Sequence, residues 1–356
     1  MQTKKKEINF SSAFYFFAFM FLVIYSFNSL SSILTPIAIA FFIWFLINGL
    51  SNEIKNIPYI NKKILDFIST PLSVIIIIYS IFKIGTFVTS SMMELGSVVS
   101  QLDSKINIVI DKITTLTSID IKEPLQRFFQ EFNMANLLNR IFIAFSSIIS
   151  NIMQIFLYVL FLLIDQRFFN MKLNALFKSQ ENRIKAKTIL ASISKGVRTY
   201  ILITTTVSLA TGFLTFLICQ YFDLEGAVLW GFIAFILNFI PTIGTIIAIL
   251  IPTVFALIQL TDFSAILSLF LALCAIQFVI GNVIYPKLMG NSLNISQFVV
   301  ILSLIVWGAM WGTLGMFLAI PMMMILLIIL SQFESTKNLA ILISEDGNIL
   351  RNNNKS

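Results

Sequence analysis

The sequence has no histidine and only two cysteines among its 356 residues. The lack of imidazole excludes histidine-based acid–base catalysis and histidine metal sites. Cys219 and Cys274 alone supply neither a disulfide framework nor a four-ligand zinc site. The chain also lacks the glycine-rich phosphate loop by which many proteins hydrolyse ATP. We therefore predict a protein that is not an enzyme and that holds no cofactor and no metal.

Charged residues are scarce as well, at 12% of the chain, while apolar residues make up 58% and the mean hydropathy is +0.92. Soluble domains contain about 25% charged and about 45–50% apolar residues, so this composition cannot be folded into a water-facing shell. The sequence therefore predicts an all-α integral membrane protein. Its net charge of +7 fits the basic bias of cytoplasmic loops, and no nucleic-acid partner is expected.

Apolar runs predict about eight transmembrane segments. Two of them, 227–260 and 297–331, would extend about 50 Å as continuous helices, against a hydrocarbon core of about 30 Å. Both contain helix breakers, so each is either a kinked helix that crosses once or a re-entrant hairpin. A cytoplasmic position for Lys287 favours the pair of hairpins. The predicted segments are 10–25, 33–50, 68–89, 141–164, 200–222, 227–260, 263–285 and 297–331.

The distribution of charge predicts the topology. Eight basic and two acidic residues lie in 165–199, which we therefore place in the cytoplasm together with both termini. The stretch 90–140 carries six acidic and five basic residues and is placed outside. The resulting units are an N-terminal transmembrane pair (1–67), the third and fourth spans (68–164) with an extracytoplasmic helical insert (90–140), a basic segment (165–199), a C-terminal transmembrane core (200–333) and a cytoplasmic tail (334–356).

A seam of apolar residues runs through the predicted extracytoplasmic insert. Its members recur at alternating spacings of four and three residues over about three heptads, a pattern typical of a helix that packs along another helix. One interpretation is a helix that joins the protomers of a homo-oligomer. The other is a helix that lies on the membrane surface or on its own protomer. The seam consists of Leu95, Val99, Leu102, Ile106, Val109, Ile113 and Leu116.

Polar and helix-breaking residues meet in the first long segment. Pro241 removes a backbone donor, and backbone groups freed in a membrane must be satisfied by protein, water or a ligand. Asn238, Thr242 and Gly244 add an amide, a hydroxyl and a loosened backbone at the same level. Broken helices of this kind often hold ligands in membrane proteins, whereas the alternative is a simple kink. Together with polar and turn residues further on, the candidate binding and translocation residues are Asn238, Pro241, Thr242, Gly244, Gln277, Asn282 and Pro286.

Small residues recur in the second long segment. Gly308, Gly312, Gly315 and Ala319 follow one another at steps of four, three and four, which places them on one helical face. A smooth face of this kind lets another helix approach closely. We interpret it either as a static packing surface or as a surface along which a neighbouring element slides.

Three blocks of glycine, proline, tryptophan and asparagine residues recur in the C-terminal third. The blocks are Glu225-Gly226 with Leu229-Trp230-Gly231, Leu237 to Gly244 and Ile251-Pro252; then Gly281 to Leu293; then Leu302-Ser303-Leu304 with Trp307-Gly308, Trp311-Gly312, Gly315-Met316 and Leu318 to Pro321. Together they resemble the autoinducer-2 exporter family of bacterial membrane proteins. The resemblance implies an inner-membrane transporter that forms a homo-oligomer. Family members commonly have an aromatic residue in place of Thr242 and prolines in place of Thr245 and Ile251, and these departures predict a softer helix break.

The resemblance implies two possible activities, export of a signal molecule and sodium–proton antiport. Autoinducer-2, a quorum-sensing signal, is uncharged and rich in hydroxyl groups, and the core offers hydrogen-bonding side chains with almost no charge. Antiport ordinarily needs an ionisable residue at membrane depth, whereas Asp165, Asp223, Glu225 and Asp262 all lie at predicted edges. We therefore expect a secondary or facilitated transporter that exports a small polar solute, with antiport as the alternative. Its expected partners are the lipid bilayer, the solute and further copies of the chain.

Overall fold

The computed structural model describes residues 10–58, 61–99, 143, 150–260, 262–290 and 294–347, and within these ranges every regular element is helical, as predicted. A 3-10 turn, Gln166–Phe168, follows the fourth helix, and a π-helical turn, Ile280–Ile284, follows the ninth. The helices are α1 (Phe10–Ser29), α2 (Ser31–Lys55), α3 (Lys62–Val99), α4 (Ile152–Asp165), α5 (Phe169–Leu176), α6 (Gln180–Tyr221), α7 (Ala227–Leu237), α8 (Ile243–Gln259), α9 (Phe263–Val279), α10 (Tyr285–Met289), α11 (Gln297–Ser331) and α12 (Lys337–Ile343).

Six helical stretches of the described residues are long and apolar enough to cross a membrane. The chain is therefore a multi-pass membrane protein, as its composition predicts, but the count of about eight spans is not confirmed. The shorter apolar helices α7 and α8 belong to one of the two long segments and are treated below. The six stretches are Ser31–Lys55, Lys62–Phe87, Ile152–Leu176, Gln180–Tyr221, Phe263–Met289 and Gln297–Ser331.

Helix α2 organises the N-terminal half. It packs against α3 through hydroxyl groups, since Ser51 Oγ donates to Ser69 Oγ at 3.0 Å and both side chains are buried. It packs against α4 through an apolar cluster that contains the buried side chains of Ile47 and Val159. A buried hydroxyl pair satisfies its own polar atoms, so this contact does not require water inside the bundle.

Helices α2 and α4 run in the same direction. Near the start of both helices, Ile39 and Ile155 line one small cavity. Further along both, Trp44 Nε1 donates to Gln166 Oε1 at 2.8 Å, just after α4 ends. The starts of α2 and α4 therefore lie at the same end of the molecule.

Helix α6 joins the basic segment to the core. It has 42 residues and is about 63 Å long at about 1.5 Å per residue. The predicted span 200–222 is its second half, and most of the basic segment is its first half. Its buried face begins at Val197 and continues to Cys219. Near the start of that face, Arg198 Nη2 donates to Glu53 Oε1 at 2.6 Å and ties α6 to the last turn of α2.

The first long segment, 227–260, is a helical hairpin rather than one helix. Residues 238–242 separate α7 from α8. The ends farthest from this break lie side by side, because Glu225 N–H donates to Gln259 Oε1 at 2.8 Å. Trp230 and Phe255 also pack together, with ring centroids 5.0 Å apart. Of the two alternatives left open by the sequence, the structure therefore has the hairpin, which we call the first hairpin.

The second long segment also folds back on itself, within α11. Gly312 has φ 63° and ψ −145°, which lie outside the helical range. A Cβ on Gly308 would lie 2.7 Å from Cε of Met316, whereas residues eight apart in a straight helix are about 12 Å apart. Leu304 and Ala319, on opposite sides of Gly312, share one core cluster. The limbs 297–311 and 313–331 therefore form the second hairpin.

The two hairpins point in opposite directions along α6. The base of the first hairpin comes directly after Tyr221, the last residue of α6. The base of the second hairpin packs with Val197 in a cluster that includes Ile295 and Leu327. Val197 is about 36 Å along the helix from Tyr221 at about 1.5 Å per residue. The two bases therefore lie at opposite ends of the membrane-spanning part of α6.

The predicted oligomerisation seam lies almost entirely outside the described residues. The backbone of Leu95 and Val99 belongs to the end of α3. The other five seam residues, Leu102, Ile106, Val109, Ile113 and Leu116, are outside the described ranges. The seam and the extracytoplasmic position of 90–140 therefore stay predictions.

Candidate translocation site

The base of the first hairpin is held by main-chain groups, one amide side chain and one indole side chain. Gln259 Nε2 donates to the carbonyl oxygen of Asp223 at 2.8 Å, while its Oε1 accepts from the N–H of Glu225. Trp230 Nε1 donates to the Glu225 carbonyl oxygen at 2.8 Å. These bonds fix both ends of the hairpin together, so the two short helices carry the tip at a set depth.

The tip of the first hairpin is a tight reversal around Thr242. Pro241 has no N–H, so the α-helical ladder stops, and the Leu237 carbonyl accepts from Ile240 N–H at 2.8 Å. Thr242 has φ 62° and ψ −61°, and Ile243 N–H donates to the Pro241 carbonyl at 2.6 Å across it. This is a γ-turn of the rarer, strained form. A non-glycine residue held in such a conformation costs about 1–3 kcal/mol and is found mainly at functional sites.

The departures from the family pattern at Thr242, Thr245 and Ile251 do not soften the helix break. The chain reverses completely, and the two limbs touch just beyond the turn. A Cβ on Gly244 would overlap the carbonyl oxygen of Leu237, so the approach depends on the missing side chain. The prediction of a softer break was wrong, because it considered prolines and aromatics and not the contact made by glycine.

Asn238 makes the main polar contact of the first tip. Its Nδ2 donates to Ser208 Oγ at 2.9 Å, and Ser208 is fully buried on α6. Ser208 is about 20 Å along α6 from Tyr221 at about 1.5 Å per residue, so the pair lies deep within the apolar bundle. Asn238 itself is half-buried, and no described residue donates to its Oδ1. The amide thus keeps one acceptor for another partner.

Helix α7 approaches α6 so closely that the two backbones touch. A Cβ on Gly212 would lie 2.6 Å from the Gly231 carbonyl oxygen, and a Cβ on Gly231 would lie 2.6 Å from the Gly212 carbonyl oxygen. Such paired glycines are typical of tight helix contacts in membranes. This contact holds Asn238 against Ser208. Sequence reasoning missed it, although Ser208 and Gly212 are small residues four apart on one face.

The tip of the second hairpin is built from glycine and tryptophan. The backbone of Gly312 lies close to a region that only glycine occupies, and a Cβ on Gly315 would overlap the Trp307 carbonyl oxygen. Trp311 stacks on Phe27 with ring centroids 6.1 Å apart, and its Nε1 donates to the Phe27 carbonyl oxygen at 3.2 Å. The second tip is therefore anchored on α1, next to the start of α2.

Phenylalanine rings join the two hairpins. The ring centroid of Phe239, at the first tip, lies 4.8 Å from that of Phe317 on the second hairpin. The ring centroid of Phe42, on α2, lies 5.1 Å from that of Phe317. The two hairpins therefore overlap inside the bundle, with an amide and a hydroxyl on the first and aromatic rings between them. Such a junction offers hydrogen bonds and an apolar surface to a small solute.

The other predicted binding residues belong to α9, the π-helical turn and α10. Gln277 is buried on α9. Asn282 is exposed in the π-helical turn, where its Nδ2 donates to the main chain of the preceding turn at 3.1 Å. Pro286 lies beside Tyr285, whose hydroxyl is 3.3 Å from Thr204 Oγ1. Of the seven predicted residues, the structure brings together Asn238, Pro241, Thr242 and Gly244.

The prediction that Gly308, Gly312, Gly315 and Ala319 share one helical face is wrong. Gly312 reverses the chain, so Gly308 lies on one limb of the second hairpin, and Gly315 and Ala319 lie on the other. The close approach that these small residues permit is between the two limbs of the same hairpin. Their use as a packing or sliding surface for another element stays a prediction.

A short internal repeat at the two tips also escaped the sequence reasoning. Thr242-Ile243-Gly244 matches Thr313-Leu314-Gly315, and in each copy an alanine–isoleucine pair begins four residues after the glycine. In both copies the threonine is exposed, while the glycine and the alanine are buried. The two hairpin tips are therefore similar in sequence, and Thr313, which corresponds to Thr242, joins the candidate site.

Known proteins resemble this chain along most of its length. A family model described as AI-2E family transporter matches residues 14–335, which include both hairpins. The AI-2 transport protein TqsA of Escherichia coli (strain K12) is 26% identical over 320 residues, 88% of this chain and 90% of that protein. A Haemophilus influenzae protein, whose name assigns it to transport without naming a substrate, is 33% identical over 225 residues, 63% of this chain and 64% of that protein.

Proposed function

Because the chain belongs to the AI-2E family of transporters, we propose that it exports a small polar solute across the bacterial inner membrane, as a secondary or facilitated transporter. Autoinducer-2 is the first candidate, as the name of the Escherichia coli relative indicates. The observation that carries the proposal is the polar pair at the first tip, where Asn238 Nδ2 donates to Ser208 Oγ at 2.9 Å. The remaining acceptor of this amide is suited to a solute hydroxyl.

The charge distribution of the core supports an uncharged solute. Two of its four charged residues, Asp223 and Glu225, precede the first hairpin at its base, and Asp262 Oδ1 accepts from Ser264 N–H at 3.1 Å where α9 begins. A charged solute would need an opposite charge at depth to offset its desolvation. A hydroxylated solute needs only hydrogen bonds, which the first tip provides. The charged residues of 200–333 are Asp223, Glu225, Asp262 and Lys287.

Sodium–proton antiport has less support. It ordinarily requires an ionisable residue at membrane depth. The remaining acidic candidate, Asp165, lies where α4 ends, and its carboxylate accepts from Lys172 Nζ at 2.8 Å with both side chains largely exposed. Antiport is therefore the second candidate and serves as the alternative outcome of the test below.

We also propose an orientation. The basic segment and the base of the second hairpin share one end of α6, which we place in the cytoplasm because positive charge accumulates there. The first hairpin then enters from outside and the second from the cytoplasm, and both termini are cytoplasmic. This arrangement supports a route in which the solute passes between two tips that approach from opposite sides.

Proteoliposomes test the proposed function. Vesicles that contain the full chain are loaded with labelled autoinducer-2, and its efflux is measured beside a sodium-driven change in internal pH. We expect efflux, and we expect Asn238→Leu to slow it about tenfold because one buried hydrogen-bonding group is lost. Asn48→Leu is the matched control, since the Asn48 amide donates only to its own helix at Trp44. A sodium-driven pH change without efflux would establish antiport instead.

Self-association is the proposed assembly, supported by the family resemblance and by the seam spacing. Ile106→Asp combined with Ile113→Asp places two charges in the seam and should lower the native mass in detergent to that of one protomer. Asn107→Asp combined with Thr114→Asp adds the same charge beside the seam and should leave the mass unchanged. An unaltered mass in the seam variant would show that this seam does not join protomers.

A further inference from the structure

A small polar cavity lies at the tip of the second hairpin, apart from the candidate residues described above. Its volume is about 100 Å³, which is enough for several water molecules or a small solute. Three hydroxyl residues at the start of α2 line it, together with Asn151 at the start of α4 and Leu314 of the second tip. The hydroxyl residues are Ser31, Ser32 and Thr35.

The hydroxyl groups of this cavity have no hydrogen-bond partner among the residues that the structure describes. Serine and threonine hydroxyls inside helices commonly bond the carbonyl of the preceding turn, as those of Thr206 and Thr253 do at 2.9 and 2.8 Å. Within the described part of the chain, those of Ser31, Ser32 and Thr35 make no hydrogen bond. Ser31 and Thr35 are half-buried and Ser32 is exposed, so these hydroxyl groups are available to water or to a ligand.

The backbone adds an acceptor at the same place. Pro36 also lines the cavity and is buried, and it has no N–H to donate to the carbonyl of Ser32, four residues earlier. Three hydroxyl residues therefore line the cavity along two turns of α2, and the carbonyl group of one of them, Ser32, receives no hydrogen bond from residue 36. These groups match a ligand that carries several hydroxyls of its own.

The lining also defines the charge of the ligand. None of the eight lining residues is charged. A cation or anion that moved from water to this neutral lining would lose part of its hydration without gaining an opposite charge, which is costly. An uncharged ligand has no such cost, and the neutral oxygens can satisfy it.

The second tip forms one wall of the cavity. Leu314 contributes its side chain, and it lies between the exposed Thr313 and the buried Gly315 of the repeat. Trp311 holds the same tip against Phe27. A displacement of this tip would therefore open or close the cavity.

We propose that this cavity is a subsite for an uncharged solute bearing several hydroxyl groups, closed on one side by the tip of the second hairpin. It lies at the end of the molecule where α2 and α4 begin, which is the outer end in the proposed orientation. The inference rests on the proposed function, because it gives the exported solute a second binding station. Its ligand class follows from the lining and does not depend on the identity of the exported molecule.

The test uses a reporter that leaves the polar groups intact. In the full chain with Cys219→Ala and Cys274→Ala, Ile39→Cys places a thiol in the apolar lining of the cavity. Its rate of modification by a small neutral methanethiosulfonate is measured with and without glycerol, autoinducer-2 or sodium chloride. We expect both polyhydroxy compounds to slow the reaction and sodium chloride, compared with choline chloride, to leave it unchanged.

Removal of one hydroxyl then identifies the ligands. Thr35→Val in the reporter background should weaken the protection by glycerol about fivefold, since one hydrogen bond is lost. Thr188→Val is the matched control, because the Thr188 hydroxyl donates to its own helix at Ile184, far along α6. We expect the reporter thiol to react when no polyol is present. A thiol that stays unmodified in every condition would show that small solutes do not reach the cavity, and it would overturn the inference.

Three further outcomes would also overturn the inference: equal rates with and without polyols, protection by sodium, and full protection in the Thr35→Val variant. The measurement is independent of transport. If glycerol protects the thiol but proteoliposomes show no autoinducer-2 efflux, the proposed solute is rejected and the subsite is kept. Efflux without protection would keep the proposed function and reject the subsite.

Discussion

The two hairpins bring their limbs together in the same way and reverse the chain in different ways. In the first, Gly244 lies against the carbonyl oxygen of Leu237, and in the second, Gly315 lies against that of Trp307. Both glycines belong to the repeated threonine–x–glycine pattern. The contact between limbs is thus common to both hairpins, because a helix backbone can reach a carbonyl only where the side chain is missing.

The turns themselves differ in chemistry. The first combines Pro241 with a strained γ-turn at Thr242 and places the Asn238 amide beside it. The second uses the conformational freedom of Gly312 and is held by an indole, Trp311. Under the proposed function, this difference would give the two hairpins different roles: the first would recognise the polar solute and the second would close over it.

The largest expected effect is all-or-none and concerns the side of the membrane from which each hairpin enters. In a chain with Cys219→Ala and Cys274→Ala, Glu225→Cys lies at the base of the first hairpin and Lys337→Cys lies just after the second. An impermeant maleimide should label the first only from outside and the second only from the cytoplasm, because the bases lie at opposite ends of α6. Labelling of both from one side would refute the inverted arrangement.

A large effect on stability is expected at the shared contact. Gly244→Ala and Gly315→Ala each force a methyl group into a carbonyl oxygen, so the limbs must separate, at a cost of about 3 kcal/mol. The free energy of unfolding in detergent measures this. Gly281→Ala is the control, since a Cβ there meets nothing within 4 Å. Tolerance of one substitution and not the other would show that only one hairpin depends on its glycine.

Much of this architecture could be predicted from the sequence. Composition indicated the class, and segment length together with Pro241, Gly312 and the position of Lys287 favoured the hairpins. Asn238, Pro241, Thr242 and Gly244 were predicted as one group because they are adjacent in sequence, and they do lie together. Residues this close in sequence can be predicted to lie together because their proximity does not depend on contacts with distant parts of the chain.

The contacts that were missed join residues far apart in the chain. Ser208 is the partner of Asn238 across 30 residues. Its spacing with Gly212 indicates a close helix contact but does not identify the partner helix. The prediction of one face through Gly308 and Gly315 failed because it assumed a continuous helix across Gly312. A helical period holds only while the backbone stays helical.

A moderate effect is expected at the anchor of the second tip. Trp311→Phe removes the indole donor to the Phe27 carbonyl and keeps an aromatic ring, so unfolding should become easier by about 1 kcal/mol. If recognition belongs to the first hairpin, efflux of autoinducer-2 should fall less than in Asn238→Leu. A larger fall would assign recognition to the second hairpin and reverse the comparison.

Substitutions within the two turns should change the free energy of unfolding in opposite directions. Thr242→Gly relieves the positive φ of the first turn but makes the unfolded chain more flexible, so it should stabilise the protein by no more than about 1 kcal/mol. Gly312→Ala imposes on the second turn the strain that the first already carries, and it should destabilise by about 1–2 kcal/mol. Thermal unfolding of both variants measures the difference, with Thr242→Ser as a control that keeps the hydroxyl. Efflux should fall in Thr242→Gly and not in Thr242→Ser if the strained turn presents that hydroxyl to the solute. Equal efflux in both would mean that the strain at Thr242 serves the reversal of the chain alone.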